Sequence, residues 1–590
     1  MVERDSYEAP EWLELLVDRA LPDGDGLLSW VPADGFEQSS LVRVPRFPTE
    51  VNGASPRELE LDVLANGTRS AQLAVASREP ITDLRAEVSD FVTDDGRRIP
   101  STAVQCRFVG YVPVERSYSE FDEFAGLSEI SGEGISGDGN PDVIADPLLE
   151  TATIDVPAYR AQPIWISIAP DAETEPGRYE GDITLSTNET DQRTVSVTLN
   201  VPDVTLPDRS EYDFHLDVWL NPDAVAVEHG AERWSADHWS LLDRYFEDLA
   251  AAGQSAITVP IIHQPWEIDW IGGEWRPQTE VGYSSHVEWH YDGEWRFEYD
   301  IFDRYVETAL EHGIGPEIYA YSMMVFRGPQ RLSYHDHETD TFTVEQVTAG
   351  EDRWREAWTA FLTTFQNHLE QKGWLEKTYL AFDERPPEQM QVALDLVESV
   401  VPELSDQIHV AGSVDVESYA DDFSVLHEHL PLDPDLVETR AEAGKRTTYY
   451  VCVTPAHPNT FTASPLRESR MLPWIAADND LDGLLRWAYN SWPRNPEENP
   501  VFRCIQGDEY LVYPGREGPK SSIRWEQLRE GIEDHQLVAA LQRRTSDADA
   551  LERALRLATR HEDAREKPVS DLVSARRLVI DELESLPAEH

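Results

Sequence analysis

Lysine is almost missing from this chain of 590 residues, occurring only as Lys372, Lys377, Lys445, Lys520 and Lys567. Basic residues of both kinds number 49 against 112 acidic ones, a formal net charge of −63. A field of that sign repels nucleic acid and anionic membranes, so neither is expected as a partner. Excess carboxylate with so little lysine suits a protein that stays hydrated in molar salt, where screening removes most of the self-repulsion. A halophilic source is therefore expected. Cysteine is scarce as well: Cys106, Cys452 and Cys504 are odd in number and far apart, and imply no disulfide framework. No run of about 18 apolar residues occurs, which excludes a spanning helix. The start Met1-Val-Glu-Arg-Asp lacks the cationic and apolar regions of an export signal, so a soluble, cytoplasmic protein is expected. Gly-rich phosphate loops, a His-Glu-x-x-His zinc pattern and a nucleophile elbow are all missing, and neither cofactor nor metal is expected.

What is present argues for packed domains. The 18 Trp, 21 Tyr and 18 Phe are too many for a chain kept disordered by charge. The length predicts more than one domain. Residues 1–205 read as an all-β sandwich, with period-two runs such as Val195–Val201 separated by Gly, Pro and Asp. Pro163–Ala169 followed by Pro176-Gly-Arg-Tyr-Glu-Gly predicts a hairpin and turn, and the acidic, Gly-rich stretch Ser128–Asp146 a long exposed loop. From about residue 206 strand and helix patterns alternate, and a (β/α)8 TIM barrel is expected over 206–535. Its strands are predicted at Tyr212–Trp219, Ala256–Ile262, Glu317–Met323, Thr378–Glu384, Ile408–Gly412, Val425–Leu430, Thr447–Thr454 and Gly483–Trp492. A helical tail over 536–590 completes a three-part chain.

The run Thr378-Tyr-Leu-Ala-Phe-Asp383-Glu384 is apolar until it ends on two carboxylates, and Pro386-Pro387 then breaks it. In a (β/α)8 barrel the carboxyl ends of the strands form the catalytic face. Acidic neighbours are common here, on the order of twenty by chance, so position rather than adjacency distinguishes this pair. Asp383 and Glu384 are the candidate catalytic residues. Sugars bind by stacking on rings and by hydrogen bonds to polar groups. Trp219, Tyr321, His427, Tyr450, Trp487, Tyr489, Asn490 and Trp492, in or at the ends of predicted strands, are candidate substrate-binding residues. For Trp487 alone, simple filling of the barrel is an equal reading. His335-Asp-His337 and His427-Glu-His429 bring no third ligand at a recognisable spacing. The first is expected to be solvated in a polar loop, the second to offer a hydrogen bond at the pocket.

Further along, Gly483-Leu-Leu-Arg-Trp487-Ala-Tyr-Asn490-Ser-Trp492 is followed by Asn495-Pro496 and by Gly507-Asp508-Glu-Tyr-Leu-Val-Tyr513-Pro-Gly515. Ser522-Ile-Arg524-Trp-Glu526-Gln-Leu-Arg529-Glu-Gly531 comes next. Together with Tyr450-Val-Cys452 and Tyr379–Glu384, this resembles the catalytic region of glycoside hydrolase family 123 and its relative, domain of unknown function 4091. The resemblance implies retaining, exo-acting hydrolysis of a β-linked N-acetylhexosamine such as N-acetylgalactosamine, through an oxazoline formed by the substrate's own acetamido group. Asp383 would orient and charge that group, and Glu384 would be acid and then base. It also adds Asp508 and Tyr513 to the candidate binding residues, while Arg524 is expected to pack its helix on the barrel. The partner expected is a small saccharide or glycan. The alternatives are a glycosidase for sugars lacking the 2-acetamido group and a non-catalytic carbohydrate-binding barrel.

Overall fold

The computed structural model describes residues 27–33, 35–47, 58–114, 143–188, 192–269, 275–326, 329–544, 548–560, 564 and 567–587. Its N-terminal part is two facing sheets. One has the strand order Leu28–Trp30, Arg69–Ala76, Gln162–Ile168, Val104–Pro113, Val143–Leu148. The other runs Glu58–Asp62, Gln192–Val201, Gly177–Ser186, Ile81–Val88, Ile154–Val156. Alternate residues point inward, so Leu73, Ile164, Ile166 and Phe108 of the first meet Leu61, Leu84, Ile183 and Val197 of the second. Gln162–Ile168 and Gly177–Ser186 thus lie in different sheets, and the hairpin predicted between them is a crossing. Gly177–Ser186 makes its hairpin with Gln192–Val201 instead.

Every residue of Arg69–Ala76 is buried, because the first sheet is covered on both faces. Its outer side sets Val109, Leu148 and Trp165 against Leu466 and Ile523 of the barrel's helices. Of the stretch predicted as an exposed loop, residues 128–142 lie outside the described residues. Asp146 sits in the edge strand Val143–Leu148, fully buried.

Eight parallel strands follow: β1 (His215–Val218), β2 (Ala256–Pro260), β3 (Glu317–Tyr321), β4 (Thr378–Asp383), β5 (Ile408–Gly412), β6 (Asp422–Leu426), β7 (Arg446–Val451) and β8 (Gly483–Arg486). Neighbours in sequence are neighbours in the sheet, and β8 pairs with β1. The ring is nearly closed. Between β1 and β2 only Leu216 and Gln254 bridge, helped by the Ser255 N–H on Leu216 O at 2.9 Å. All eight predicted strands are present. The sixth begins at Asp422 rather than Val425, and the eighth stops at Arg486 rather than Trp492.

The outer helices are α1 (Pro222–Glu228), α2 (Ala236–Ala251), α3 (Asp300–Glu311), α4 (Asp352–Lys372), α5 (Pro387–Val400), α6 (Pro434–Glu442), α7 (Leu466–Asp478) and α8 (Ile523–Arg544). After β5 a 3-10 turn, Val414–Tyr419, stands where a helix would, so the barrel is TIM-like only loosely. Helix α4 shows why such segments fold as they do. Trp354, Trp358, Phe361, Phe365 and Leu369 fall on one face and are buried. Gly373, at φ 70°, then ends the helix in the left-handed conformation.

Helices α9 (Ala548–Thr559) and α10 (Val569–Ser585) lean on α7 and α8. The boundary expected at 535 falls inside α8, whose Leu537, Val538 and Leu541 still pack into the main core. An accessory four-stranded sheet grows from the loops after β2 and β3: Trp295–Glu298, Glu288–Tyr291, Gln330–Asp336 and Thr341–Val347, in that order. Among the described residues, no helix is long and apolar enough to cross a membrane.

Candidate active site at the barrel mouth

Apolar residues carry β4 through the barrel wall, with Leu380, Ala381 and Phe382 buried, and the strand ends on the half-buried Asp383. Glu384 follows with φ 43°, the left-handed region that a residue with a side chain seldom enters. Such a conformation costs of order 1–3 kcal/mol. It breaks the alternation by which adjacent strand residues face opposite ways. The Glu384 N–H still bonds Ala411 O at 2.7 Å, so the ladder to β5 holds while the chain turns.

Glu384 reaches Tyr450 of β7, and the charge of Asp383 acts on the same phenol. Its hydroxyl donates to Glu384 Oε1 at 3.0 Å. Burial, then the charge of Glu384, and more weakly that of Asp383, push the Tyr450 phenol well up, so it stays a donor. Tyr321, closing β3, is also held protonated, first by burial and then by Asp217 and Asp383. Its hydroxyl is buried and has no hydrogen-bond partner among the described residues. An orphaned donor of that kind costs about 1–3 kcal/mol until something accepts from it.

Buried rings pack on one another beneath one side of this mouth. The Trp219 centroid lies 4.7 Å from Trp266 and 4.8 Å from Tyr321, and Trp266 lies 4.7 Å from Tyr283. Trp219 is fixed by its indole N–H on Asp217 Oδ2 at 3.2 Å, and Asp217 also accepts from Thr258 at 3.1 Å. Burial raises the Asp217 carboxyl to about 6. Beside the neighbouring β8, whose Arg486 O accepts from the Trp219 backbone N–H at 3.2 Å, Asp508 accepts from Arg486 Nη2 at 2.8 Å and from the Trp487 indole at 3.3 Å. Asp508 is fully buried, and its carboxyl is raised by burial against the pull of Arg486. It therefore orients Trp487 beside the mouth.

The loop bearing Asp508 approaches Thr462 so closely that a Cβ on Gly507, at φ 87°, would lie 2.4 Å from the Thr462 nitrogen. Cys452 and Cys504 pack in the same apolar cluster. Burial pushes both thiols up, so they stay protonated and poor as nucleophiles or metal ligands.

Asp383, Glu384, Trp219, Tyr321, Tyr450, Trp487 and Asp508 are thus brought together. His427 stands at the rim, half-buried on the 3-10 turn His427–His429 after β6, with its ring 5.8 Å from Tyr449. Other candidates have partners elsewhere. Tyr489 donates to Asp248 of α2 at 2.5 Å, and Trp492 to Val512 O at 2.6 Å. The Asn490 side chain exchanges two hydrogen bonds with the Asn221 backbone, at 2.7 and 3.0 Å, bracketing β8 to the loop after β1. Tyr513 donates to Asp146 at 2.7 Å, on the seam with the sandwich. Arg524 joins it there, its guanidinium against Asp146 at 3.0 Å, so it ties α8 to the sandwich. Sequence reading missed Asp217, Trp266 and Tyr283. A charge inside so short and apolar a strand as β1 was a usable signal for Asp217, but the two rings lie on irregular loops without periodicity.

The catalytic-domain profile of glycoside hydrolase 123 matches residues 219–541, and the N-terminal-domain profile of glycoside hydrolase 123 matches residues 54–187. A family 123 glycoside hydrolase from Clostridium perfringens, solved in a study of glycolipid glycan hydrolysis, has a similar fold. The TM-score is 0.79 at 20% identity, over 95% of this chain and 99% of that one. A GH5 xyloglucanase from Bacteroides ovatus, holding a heptasaccharide, aligns at 9% identity over 81% of this chain and 98% of its own. Its TM-score of 0.26 is too low to carry an argument. No curated protein sequence matches this chain.

Proposed function

The chain belongs to glycoside hydrolase family 123, and within that membership we propose a retaining, exo-acting enzyme for a β-linked N-acetylhexosamine of the N-acetylgalactosamine type. In this reading the substrate's 2-acetamido oxygen attacks the anomeric carbon, the bond to the leaving oxygen breaks, and an oxazoline forms. Glu384 gives its proton to the departing oxygen. Asp383 accepts a hydrogen bond from the acetamido N–H and balances the positive charge that develops there. Water then opens the oxazoline while Glu384 takes back a proton. Such glycosidases depart from the usual arrangement of two carboxylates, one of them a nucleophile.

The observation that carries the reading is the left-handed turn at Glu384, which lets two adjacent carboxylates serve one pocket while Tyr450 holds the second. The Trp219, Trp266 and Tyr321 rings form an apolar floor beneath the carboxylates. The chain's excess of carboxylate supports work in concentrated salt.

The test is hydrolysis of a nitrophenyl glycoside panel in molar KCl, with and without the 2-acetamido group. Release confined to β-N-acetylhexosaminides, with the anomeric configuration retained by NMR, is the expected result. Release only from sugars carrying a 2-hydroxyl would refute the acetamido mechanism and make one carboxylate a nucleophile. Glu384→Gln should abolish turnover. Asp383→Asn should cut it strongly for acetamido substrates, because an amide cannot balance the charge.

A further inference from the structure

Three histidines meet on the accessory sheet, away from the carboxylates. Strand Glu288–Tyr291 runs parallel to Gln330–Asp336 with His290 opposite His335. His337 lies two residues beyond His335 and is held beside the first strand by its N–H on Tyr291 O at 2.9 Å. Period two then puts His335 and His337 on one face, next to His290.

One nitrogen from each ring lies within 4.8 Å of the others. His290 Nδ1 and His337 Nε2 are 3.1 Å apart, and the His335 and His337 centroids 4.8 Å. Tetrahedral zinc, bound at about 2.0–2.1 Å, holds its ligand nitrogens roughly 3.3 Å apart, a spacing the His290–His337 pair already has and His335 reaches by turning its half-exposed ring inward. One neutral imidazole donating to another would account for the 3.1 Å pair alone. It leaves His335 Nδ1 shielded from solvent and without a hydrogen-bond partner. Carboxylates stand just outside, with Glu298 3.8 Å from His290 Nε2 and Asp340 3.8 Å from His335 Nε2.

We propose that His290, His335 and His337 form a binding site for a borderline divalent transition metal of the zinc class. A water completes the coordination. Imidazole selects such ions, whereas the many surface carboxylates of this chain favour hard cations. The placement gives the metal a structural role. His290 belongs to the insertion after β2, and His335 and His337 to the insertion after β3. The ion therefore staples two loops together. Arg331, on the strand carrying His335, also donates to Gln264 O at 2.5 Å, two residues before the Trp266 of the ring floor. The staple thus lies on elements that support that floor.

The whole chain, stripped with a chelator and returned to molar KCl with excess Mg2+ to occupy carboxylates, is titrated with Zn2+ and with Co2+ as spectroscopic probe. One Zn2+ per chain should bind against the Mg2+ background, with Co2+ absorption of an imidazole-rich site. His335→Ala should weaken binding by more than about 100-fold, beyond the 10–100-fold usual for an outer-shell loss. His290→Gln should weaken it too. His312→Ala, whose ring pairs with Asp243 at 2.8 Å on another face, should leave it unchanged. Circular dichroism checks that each variant is folded. Zn2+ should raise the unfolding temperature of the wild type and not of His335→Ala. Absence of the Co2+ band in the wild-type chain would overturn the site, as would equal Zn2+ affinity in folded His335→Ala. Neither result bears on the carboxylate pair, so the site and the proposed hydrolysis stand or fall separately.

Discussion

Asp146→Asn should destabilise the protein more than any change at an exposed ion pair, although Asp146 lies far from the proposed chemistry. Its two oxygens accept from Arg524 Nε at 3.0 and 3.1 Å, from Arg524 Nη2 at 3.0 Å and from the Tyr513 hydroxyl at 2.7 Å. Arg43 approaches at 3.3 Å. Asp146 and Arg524 are both fully buried. Burial alone would lower the Arg524 guanidinium's pKa; the Asp146 carboxylate more than reverses this and keeps it charged. An amide preserves the shape but leaves that cation uncompensated, a loss of about 3–5 kcal/mol. At 1.4 kcal/mol per tenfold, this is roughly a hundred- to several-thousand-fold in the unfolding equilibrium.

A chain of several domains has no single unfolding free energy, so the assay compares unfolding rates and urea midpoints of wild type and variant in the same salt. Glu60→Gln, removing an exposed partner of Arg178, is the control and should cost at most about 1 kcal/mol. Salt gives a second discriminator. Molar KCl screens the exposed pair and leaves the buried one largely untouched. A loss below about 1 kcal/mol, or one that molar KCl abolishes, would refute the argument that this seam is a desolvated ion pair.

Tyr450→Phe should reduce kcat/KM by roughly tenfold to a hundredfold, since the phenol positions the proposed general acid, and should lower stability only by the roughly 0.5–1.5 kcal/mol of one hydrogen bond. A rate within about twofold of wild type would remove Tyr450 from the proposed machinery. Acid should destabilise the fold well before its carboxylates are exhausted. Burial lowers His286 to about 3 and His535 to about 4, so both are neutral in the folded state and charge on unfolding. Their contribution is complete above about pH 6.5 and is lost as pH falls toward these folded values, roughly 5 kcal/mol for His286 and roughly 3 kcal/mol for His535. Asp217, raised to about 6, acts in the opposite sense. Its contribution is present below its unfolded pKa of about 4 and is lost as pH rises through 6. Urea midpoints at pH 5 and 7 should show the histidines prevailing, with a smaller difference in His286→Phe; an equal difference in that variant would exclude His286 as a source.

Eight strands were legible because each is a short apolar run bounded by breakers, and Thr378–Asp383 was the plainest since its run ends in charge. Two of the errors share one cause: buried polar groups whose partners are distant in sequence. Asp422 hid the start of β6, because only the fold supplies Arg446 at 2.8 Å to make an aspartate at home there. Asp146 read as part of a solvated loop because Arg524 was out of view. Tyr489, Trp492 and Tyr513 carry the same ring chemistry as Trp219 and Tyr321, and nothing local says which rings face a sugar and which fill a seam. The three histidines were beyond reach, since only the pairing of Glu288–Tyr291 with Gln330–Asp336 puts the isolated His290 beside the pair.

A sheet with two buried faces has a consequence for inheritance. The strand Arg69–Ala76 has no water-facing side, and Trp165 and Val109 lie directly on residues of the barrel's own helices. Cutting the chain near residue 205 would therefore yield two halves, each displaying a large apolar patch of the kind that drives aggregation. Neither half is a movable part. The sandwich packs as a wall of the barrel, so the two parts are expected to be inherited together.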